Sequence, residues 1–305
     1  MTQSTSRRKG RCHQPKRVQV HDEEGWTHIT TTERKTFNKH CLPPIKDLLI
    51  PAEAPDGLTF KNLKKQFESH KRGWEESRTW QTMKAALDSG LIAGAGSRVD
   101  NCVCVGLGSP SGFLRGGWVD RRAVSLYQLA ALVTMLEYFG AFLCSIFLTS
   151  VGLARPLGVD RIWNFAKELT GRQIRRSIAH QDTLPTAIKD CYAQDPVFNT
   201  LDKQLLESHG IRVVEHPEAF TLINERTFLY SPGAERVHIL DMLPSNPALF
   251  FGGPLDGENI LRLPDDKEKI LSEFLNTRRL MLLPPFDPNI PAFWKSSLFW
   301  RPEDS

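Results

Sequence analysis

Cysteine is scarce in this sequence, which has six cysteines in 305 residues and no C-x-x-C pair. The first residues are polar and basic, and they lack the apolar stretch of a secretory signal. We therefore expect a reducing compartment, cytoplasmic, nuclear or both, rather than a disulfide-bonded secreted domain. Cys102 and Cys104 are two residues apart and therefore share one face of a predicted strand. Buried free thiols are the simplest interpretation of both.

The common catalytic signatures are also missing. The sequence contains no G-x-S-x-G elbow, no Walker A motif and no H-E-x-x-H motif. His209, His216 and His238 do not have the spacing of metal ligands, so we interpret them as ordinary histidines and predict no metal site.

Positive charge is concentrated at the start of the chain. The formal net charge is +4, and six basic residues lie among the first 17: Arg7, Arg8, Lys9, Arg11, Lys16 and Arg17. Residues 1–55 are polar, basic and proline-containing, which predicts a disordered tail. The cluster suits a solvated tail or a nuclear address, and we expect no nucleic-acid partner.

Short apolar runs alternate with amphipathic segments from residue 56 to residue 305. This alternation predicts an α/β domain with a Rossmann-like, mostly parallel sheet flanked by helices, and a core at about residues 100–255. The predicted strands are 102–105, 189–193, 211–214, 227–230, 248–251 and 280–283. The predicted helices begin near residues 58, 76, 121, 201, 237 and 267.

The segment from about 140 to 186 does not fit this alternation, since it separates two strands by more than a usual connection. Three interpretations stay open. It is a buried extension of the preceding helix, a membrane helix of marginal length, or an insertion that translated intron sequence would also explain. We expect no stable membrane insertion.

A glycine-rich turn follows the strand 102–105 and precedes a helix. Gly106, Gly108 and Gly112 would allow a ligand close to the backbone, while Ser109 and Ser111 offer hydroxyl groups. The alternative is that these glycines only satisfy the geometry of a turn.

Further candidate ligand-binding residues follow three later strands. Asp195 stands where a Rossmann-like fold places the acid that binds ribose hydroxyls, although an Asp-Pro turn explains it equally. Gly233, Gly252 and Gly253 end two other strands. If the strands are parallel, all these turns meet at one edge of the sheet.

Several of these segments together resemble the SRR-like ("sensitivity to red light reduced"-like) domain family, in a fungal-type form. The similarity rests on Cys104–Gly108, Tyr127–Ala130, Asp195–Phe198, Thr227–Pro232 and Leu249–Gly252, in this order. The turns at 231–234 and 252–255 depart from those of many relatives. The resemblance implies a regulatory protein, linked in plants to light signalling and the circadian clock and in animals to haem metabolism, with no established catalytic activity.

We therefore expect a regulator that binds a nucleotide-type or tetrapyrrole ligand and protein partners, its cofactor being unidentified. The alternative is a Rossmann-type enzyme, such as an S-adenosylmethionine-dependent methyltransferase. The predicted strand ends offer mainly glycine, proline and serine, with Asp195 as the strong carboxylate, and this favours binding over catalysis.

Overall fold

The computed structural model describes residues 17–21, 27–31, 50–88, 99–113, 120–150, 188, 190–255 and 264–302. The chain divides into two compact units, Met1–Leu48 and Leu49–Ser305. In the first unit, β1 (Arg17–His21) pairs antiparallel with β2 (Thr27–Thr31). The other residues of the predicted tail up to Leu49 lie outside the described residues.

The second unit alternates helices and strands along the chain. Its described helices are α1 (Phe60–Glu75), α2 (Arg78–Asp88), α3 (Arg122–Ser150), α4 (Thr200–Ser208), α5 (Glu218–Thr221), α6 (Arg236–Met242) and α7 (Asp265–Asn276). Its described strands are β3 (Asn101–Val105), β4 (Asp190–Gln194), β5 (Ile211–Val213), β6 (Thr227–Ser231), β7 (Leu249–Gly252), β8 (Arg279–Leu282) and β9 (Ser297–Trp300).

These seven strands form one sheet in the order β5-β4-β3-β6-β7-β9-β8. The first five in this order are parallel, whereas β9 pairs antiparallel with both β7 and β8. The α/β fold with a mostly parallel sheet is therefore confirmed. Each predicted strand and helix start lies within two residues of an observed one.

Alternate residues of β3 face two separate layers of helices. Cys102 and Cys104 pack in the apolar cluster that includes buried residues of α1 to α4, as the period of two predicts. Val103 and Val105 pack in the second cluster, with residues of α5, α6 and α7. The sheet is thus covered on both faces, as a parallel sheet requires.

In helix α1, the local sequence determines both where the helix begins and which face is buried. The side chain of Thr59 accepts a hydrogen bond from the amide of Asn62 at 3.3 Å and caps α1. Leu63, Phe67 and Trp74 recur on one face and are fully buried. Helix α1 therefore packs against the core through the stripe that its sequence predicts.

Helix α3 continues beyond its predicted end near Tyr138 to Ser150. Among the described residues, Arg122–Gly140 is long and apolar enough to cross a membrane by length and composition, but 72% of the most apolar window is buried inside the domain. Burial against the sheet is sufficient to explain this composition. Residues 151–186 of the predicted insertion lie outside the described residues.

The C-terminal aromatic segment packs back onto the core, and it does so as a strand that was not predicted. All four residues of β9 are buried, because this strand lies between β7 and β8 in the sheet. Trp294, just before it, is 57% exposed. The sequence Ser-Leu-Phe-Trp of β9 is followed by Arg301-Pro302 rather than by the glycine turn that marks the end of β7.

Contacts of the domain begin before residue 56. The amide of Ala52 donates to the carbonyl of Val197 at 2.8 Å, and the backbones of Glu53 and Phe113 form a two-way bridge. Ala52 is 4% exposed. This short segment therefore lies against the loop that follows β3.

His209 caps the end of α4 against the ring of Phe67, with 4.5 Å between ring centroids. Its Nε2 is buried without a hydrogen-bond partner in the described structure. Burial, with smaller contributions from Lys64 and Lys71, lowers the pKa of His209 from 6.5 to about 4. The neutral ring is therefore the form that the fold accommodates.

We expect His209→Phe to flatten the acid limb of the stability profile. Because the pKa of His209 is lowered on folding, the stability that depends on the neutral ring is complete above pH 6.5 and is lost as the pH falls towards 4. Urea unfolding at several pH values should show a smaller loss in the variant. The matched control is His238→Phe at an exposed position, which should keep the wild-type profile. Parallel curves for wild type and His209→Phe would refute this prediction.

Candidate functional site

The carboxyl ends of five parallel strands lie along one edge of the sheet. The chain runs outwards from β3 through β4 to β5 and then returns to β6 on the other side of β3. The strand order therefore reverses between β3 and β6. In open α/β sheets, ligands bind outside the carboxyl ends of the strands at such a switch point.

At this switch point, two glycine turns are in direct contact. Gly106 follows β3 with a φ of +75°, and a Cβ atom placed on it would lie 2.6 Å from Cα of Ala234. A Cβ atom on Gly233, which follows β6, would overlap the carbonyl oxygen of Gly106. Both glycines are therefore required by the close approach of two protein segments, and the protein's own backbone fills this part of the crevice.

The amides of the following loop are used within the protein. The amide of Gly108 donates to Oδ2 of Asp195 at 2.8 Å, and that of Ser111 donates to Oδ1 of Asp202 at 2.9 Å. The amide of Gly112 donates to Oγ of Ser109 at 2.8 Å. These three amides of the glycine-rich turn are thus occupied by side chains of the same domain.

Asp202 joins this loop to the start of α4. Its fully buried carboxylate also accepts hydrogen bonds from Oγ of Ser109 at 2.6 Å and from the amide of Asn199 at 3.1 Å. Asn199 in turn caps α4 by accepting from the amides of Leu201 and Asp202. This reciprocal arrangement is a capping box in which the Asp also holds the glycine loop.

Ser111 and Gly112 are enclosed by the same group. Oγ of Ser111 lies 2.8 Å from Nδ2 of Asn199, which also donates to the carbonyl of Ala52 at 3.0 Å. A Cβ atom on Gly112 would lie 2.7 Å from Cβ of Ala52. Ser111 is fully buried and Ser109 is 7% exposed, so neither hydroxyl faces a ligand in this structure.

Asp195 lies directly after β4 and remains half-buried. Besides the bond from Gly108, it accepts a hydrogen bond from the amide of Val197 at 3.1 Å through Oδ1. The predicted Asp-Pro turn is therefore present, and each carboxylate oxygen retains one further lone pair. The other residues predicted for this site are glycines and serines, so Asp195 is the predicted residue that brings a carboxylate to the strand ends.

Burial raises the pKa of both carboxyl groups in this cluster. For Asp195, the loss of water outweighs the hydrogen bonds from Gly108 and Val197. For Asp202, burial outweighs the bonds from Ser109, Ser111 and Asn199. Two carboxylates placed in the amide loop make it unfavourable for a phosphate at the same position.

Gly252 and Gly253 end β7 at the same edge, and both have a packing reason. A Cβ atom on Gly252 would touch the carbonyl of Ser231 and the ring of Phe250. Gly253 has a φ of +130° and lies against the carbonyl of Lys295. The nine predicted site residues therefore lie along one edge, but most of them pack against protein atoms.

Three residues that the sequence interpretation passed over also lie at this edge, Gln194, Asn199 and Asp202. Gln194, the last residue of β4, is 3% exposed, and its side chain contacts His216 beyond β5. The sequence Asn199-x-x-Asp202 is a capping pattern and could have pointed to the loop anchor. No sequence signal links Gln194 to His216, because they are brought together by the pairing of β4 with β5.

The fold and the switch point define a Rossmann-like α/β domain. A family model described as the SRR1 domain matches residues 63–147 and 172–300. The chain therefore belongs to the SRR1 domain family, and the sequence-based resemblance is confirmed. Residues 148–171, which the match leaves out, lie inside the segment predicted as an insertion. No curated protein and no solved structure matches the chain.

Removal of the Asp202 carboxylate tests the loop anchor. We expect Asp202→Ala to lower the free energy of unfolding by about 3 kcal/mol, because it leaves Ser109 and two amides without a buried partner. Asp266→Ala, at an exposed position in α7, is the control and should change it by less than about 0.5 kcal/mol. Urea denaturation measures both, and equal effects would contradict the anchoring role.

Two glycines with the same backbone conformation separate crowding from backbone strain. Gly106 and Gly57 have φ values of +75° and +78°, but no atom lies within 4 Å of a Cβ atom on Gly57. We expect Gly57→Ala to cost about 1 kcal/mol of stability and Gly106→Ala about 3 kcal/mol or more. Thermal and urea unfolding of both variants provide the comparison. Similar losses would show that the turn at Gly106 is not tightly packed.

Proposed function

We propose that this SRR1 domain is a regulatory protein that binds a nucleotide-type ligand at the carboxyl edge of the sheet, beside Asp195. The observation that carries the proposal is the half-buried carboxylate of Asp195 next to the switch point. A carboxylate at the end of the second strand is placed to accept hydrogen bonds from ribose hydroxyls. The regulatory role and the protein partners rest on the family resemblance.

The chemistry of the loop narrows the class of ligand. The amides of Gly108, Ser111 and Gly112 are used by the protein, and two carboxylates lie among them. A phosphate group would meet like charge and few free donors at this position. The arrangement therefore favours a nucleoside cofactor without phosphate, such as S-adenosylmethionine, over a dinucleotide.

The strand order supports the same ligand and keeps a methyltransferase as the second candidate. Counted from β3, the order of the sheet is 3-2-1-4-5-7-6, with the seventh strand antiparallel. The five parallel strands thus have the 3-2-1-4-5 order of a Rossmann sheet, the fold for which an S-adenosylmethionine-dependent methyltransferase is the enzyme alternative. A shared fold does not establish a shared reaction, and Asp195 is held by two amides rather than placed as a free base.

A thermal-shift panel on the full chain tests the proposal. The compounds are S-adenosylmethionine, NAD, ATP and haemin, the last because a tetrapyrrole is the other ligand class that the resemblance implies. A ligand at about 100 times its Kd should raise the melting temperature by about 5–10 °C. We expect S-adenosylmethionine to give the largest shift.

Asp195→Asn keeps the shape of the side chain but removes its charge, and its NH₂ group can no longer accept from one of the two backbone amides, so each shift is measured from the melting temperature of the ligand-free variant. We expect a smaller shift with S-adenosylmethionine in this variant. Asp190→Asn, at an exposed position at the start of β4 and thus at the opposite edge of the sheet, should respond as the wild type does. If none of the four compounds stabilises the protein, the ligand site at this edge is rejected.

A further inference from the structure

The buried amide of Gln194 determines which nitrogen of His216 carries the proton. Oε1 of Gln194 accepts a hydrogen bond from the amide of Ala219 at 3.0 Å, and Nε2 lies 3.2 Å from Nδ1 of His216. A backbone amide can only donate, so the oxygen of Gln194 must face Ala219. The NH₂ group therefore faces His216 and donates to it.

An imidazole nitrogen that accepts a hydrogen bond has no proton. Nδ1 of His216 is consequently the acceptor, and the proton of the neutral ring resides on Nε2. His216 thus presents a hydrogen-bond donor on the side of the ring away from Gln194. The tautomer therefore follows from two hydrogen bonds, from the amide of Ala219 to Gln194 and from Gln194 to His216. The first fixes the direction of the second, because a backbone amide can only donate.

The ring is held at a second point. It makes an edge contact with Phe220, with 5.6 Å between centroids and an interplanar angle of 87°. The residue is nonetheless exposed, and an exposed side chain ordinarily keeps its rotamer freedom. His216 is therefore a preorganised donor at the surface, which lowers the entropy lost when a ligand binds.

The position of His216 fixes which part of a nucleoside it would meet. Strands β4 and β5 are neighbours with Ala193 opposite Val213, so Asp195 and His216 leave adjacent strands at the same edge. On the other side of β3, the turns at Gly106 and Gly233 are packed together. A nucleoside whose ribose lies on Asp195 would therefore extend its base towards β5, the strand that His216 follows.

We propose that Nε2–H of His216 donates a hydrogen bond to a ring nitrogen of the ligand's purine base, with the ribose on Asp195. This inference rests on the proposed function and adds the orientation of the base. Adenine offers three ring nitrogens as acceptors, and a fixed donor would select the base that presents one of them to β5. Gln194 acts as a positioning residue, since it orients the ring without touching the ligand.

The tautomer is tested first, without any ligand. Two-bond proton–nitrogen NMR correlations of the full chain should show Nδ1 of His216 unprotonated and Nε2 protonated at neutral pH. Gln194→Glu should reverse this, because one carboxylate oxygen accepts a hydrogen bond from Nδ1–H of His216 while the other still accepts from the amide of Ala219. A ligand-free His216 with its proton on Nδ1 in the wild type overturns the inference.

Binding is tested second, with adenosine and S-adenosylmethionine as probes. We expect His216→Phe to weaken both about tenfold, the loss of one hydrogen bond, while keeping the ring against Phe220. His216→Gln should restore most of the affinity, because its amide can donate from a similar position. His209→Phe, at the end of α4 and thus near the opposite edge of the sheet, should bind as the wild type does.

Deazaadenosines identify the acceptor. Of 1-deaza-, 3-deaza- and 7-deazaadenosine, one should bind about tenfold more weakly than adenosine to the wild type and no more weakly to His216→Phe. If wild type and His216→Phe bind S-adenosylmethionine with equal affinity, the role of His216 is rejected while the proposed ligand site at Asp195 stands. If neither probe binds the wild type, the proposed ligand site and this role both fail, whatever tautomer NMR finds.

Discussion

The buried carboxylate of Asp202 is the interaction on which the described carboxyl edge depends. Its hydrogen bonds join the loop after β3 to the start of α4. Asn199 extends the same network to Ala52 in the segment that precedes α1. Burying a charge is favourable only when its acceptor sites are filled. Here hydroxyls and amides from two loops fill them, so the position of one loop cannot change without the other.

Much of the fold could be predicted from the sequence because the hydrophobic periodicity and the turn-forming residues indicate the same element boundaries. Leu63, Phe67 and Trp74 recur at helical spacing, and Gly106 and Gly210 stop elements where they are observed to stop. Strand β9 was not predicted because, unlike the similarly buried strands β3, β6 and β7, it is not followed by a glycine turn that marks its end. The extension of α3 was one of three interpretations left open for its apolar run, since such a run alone does not show where a helix ends.

The site was harder to predict because a glycine at a strand end can make room either for a ligand or for another segment of the protein. Gly106, Gly233 and Gly252 were assigned to ligand approach, yet each is explained by contact with another part of the same backbone. A single sequence cannot distinguish these causes, since both require the absence of Cβ. Gln194 and His216 carry no motif, and their relation depends on the register between β4 and β5.

The place of β9 in the sheet has a consequence for biosynthesis. Residues 297–300 form an interior strand, flanked on both sides by segments made earlier. During translation, β7 must wait with an unpaired edge until the chain beyond residue 300 has left the ribosome, and β8 has no partner until then. Sheet formation is thus completed only after residues 297–300 have been made, when a pairing between distant parts of the chain closes it.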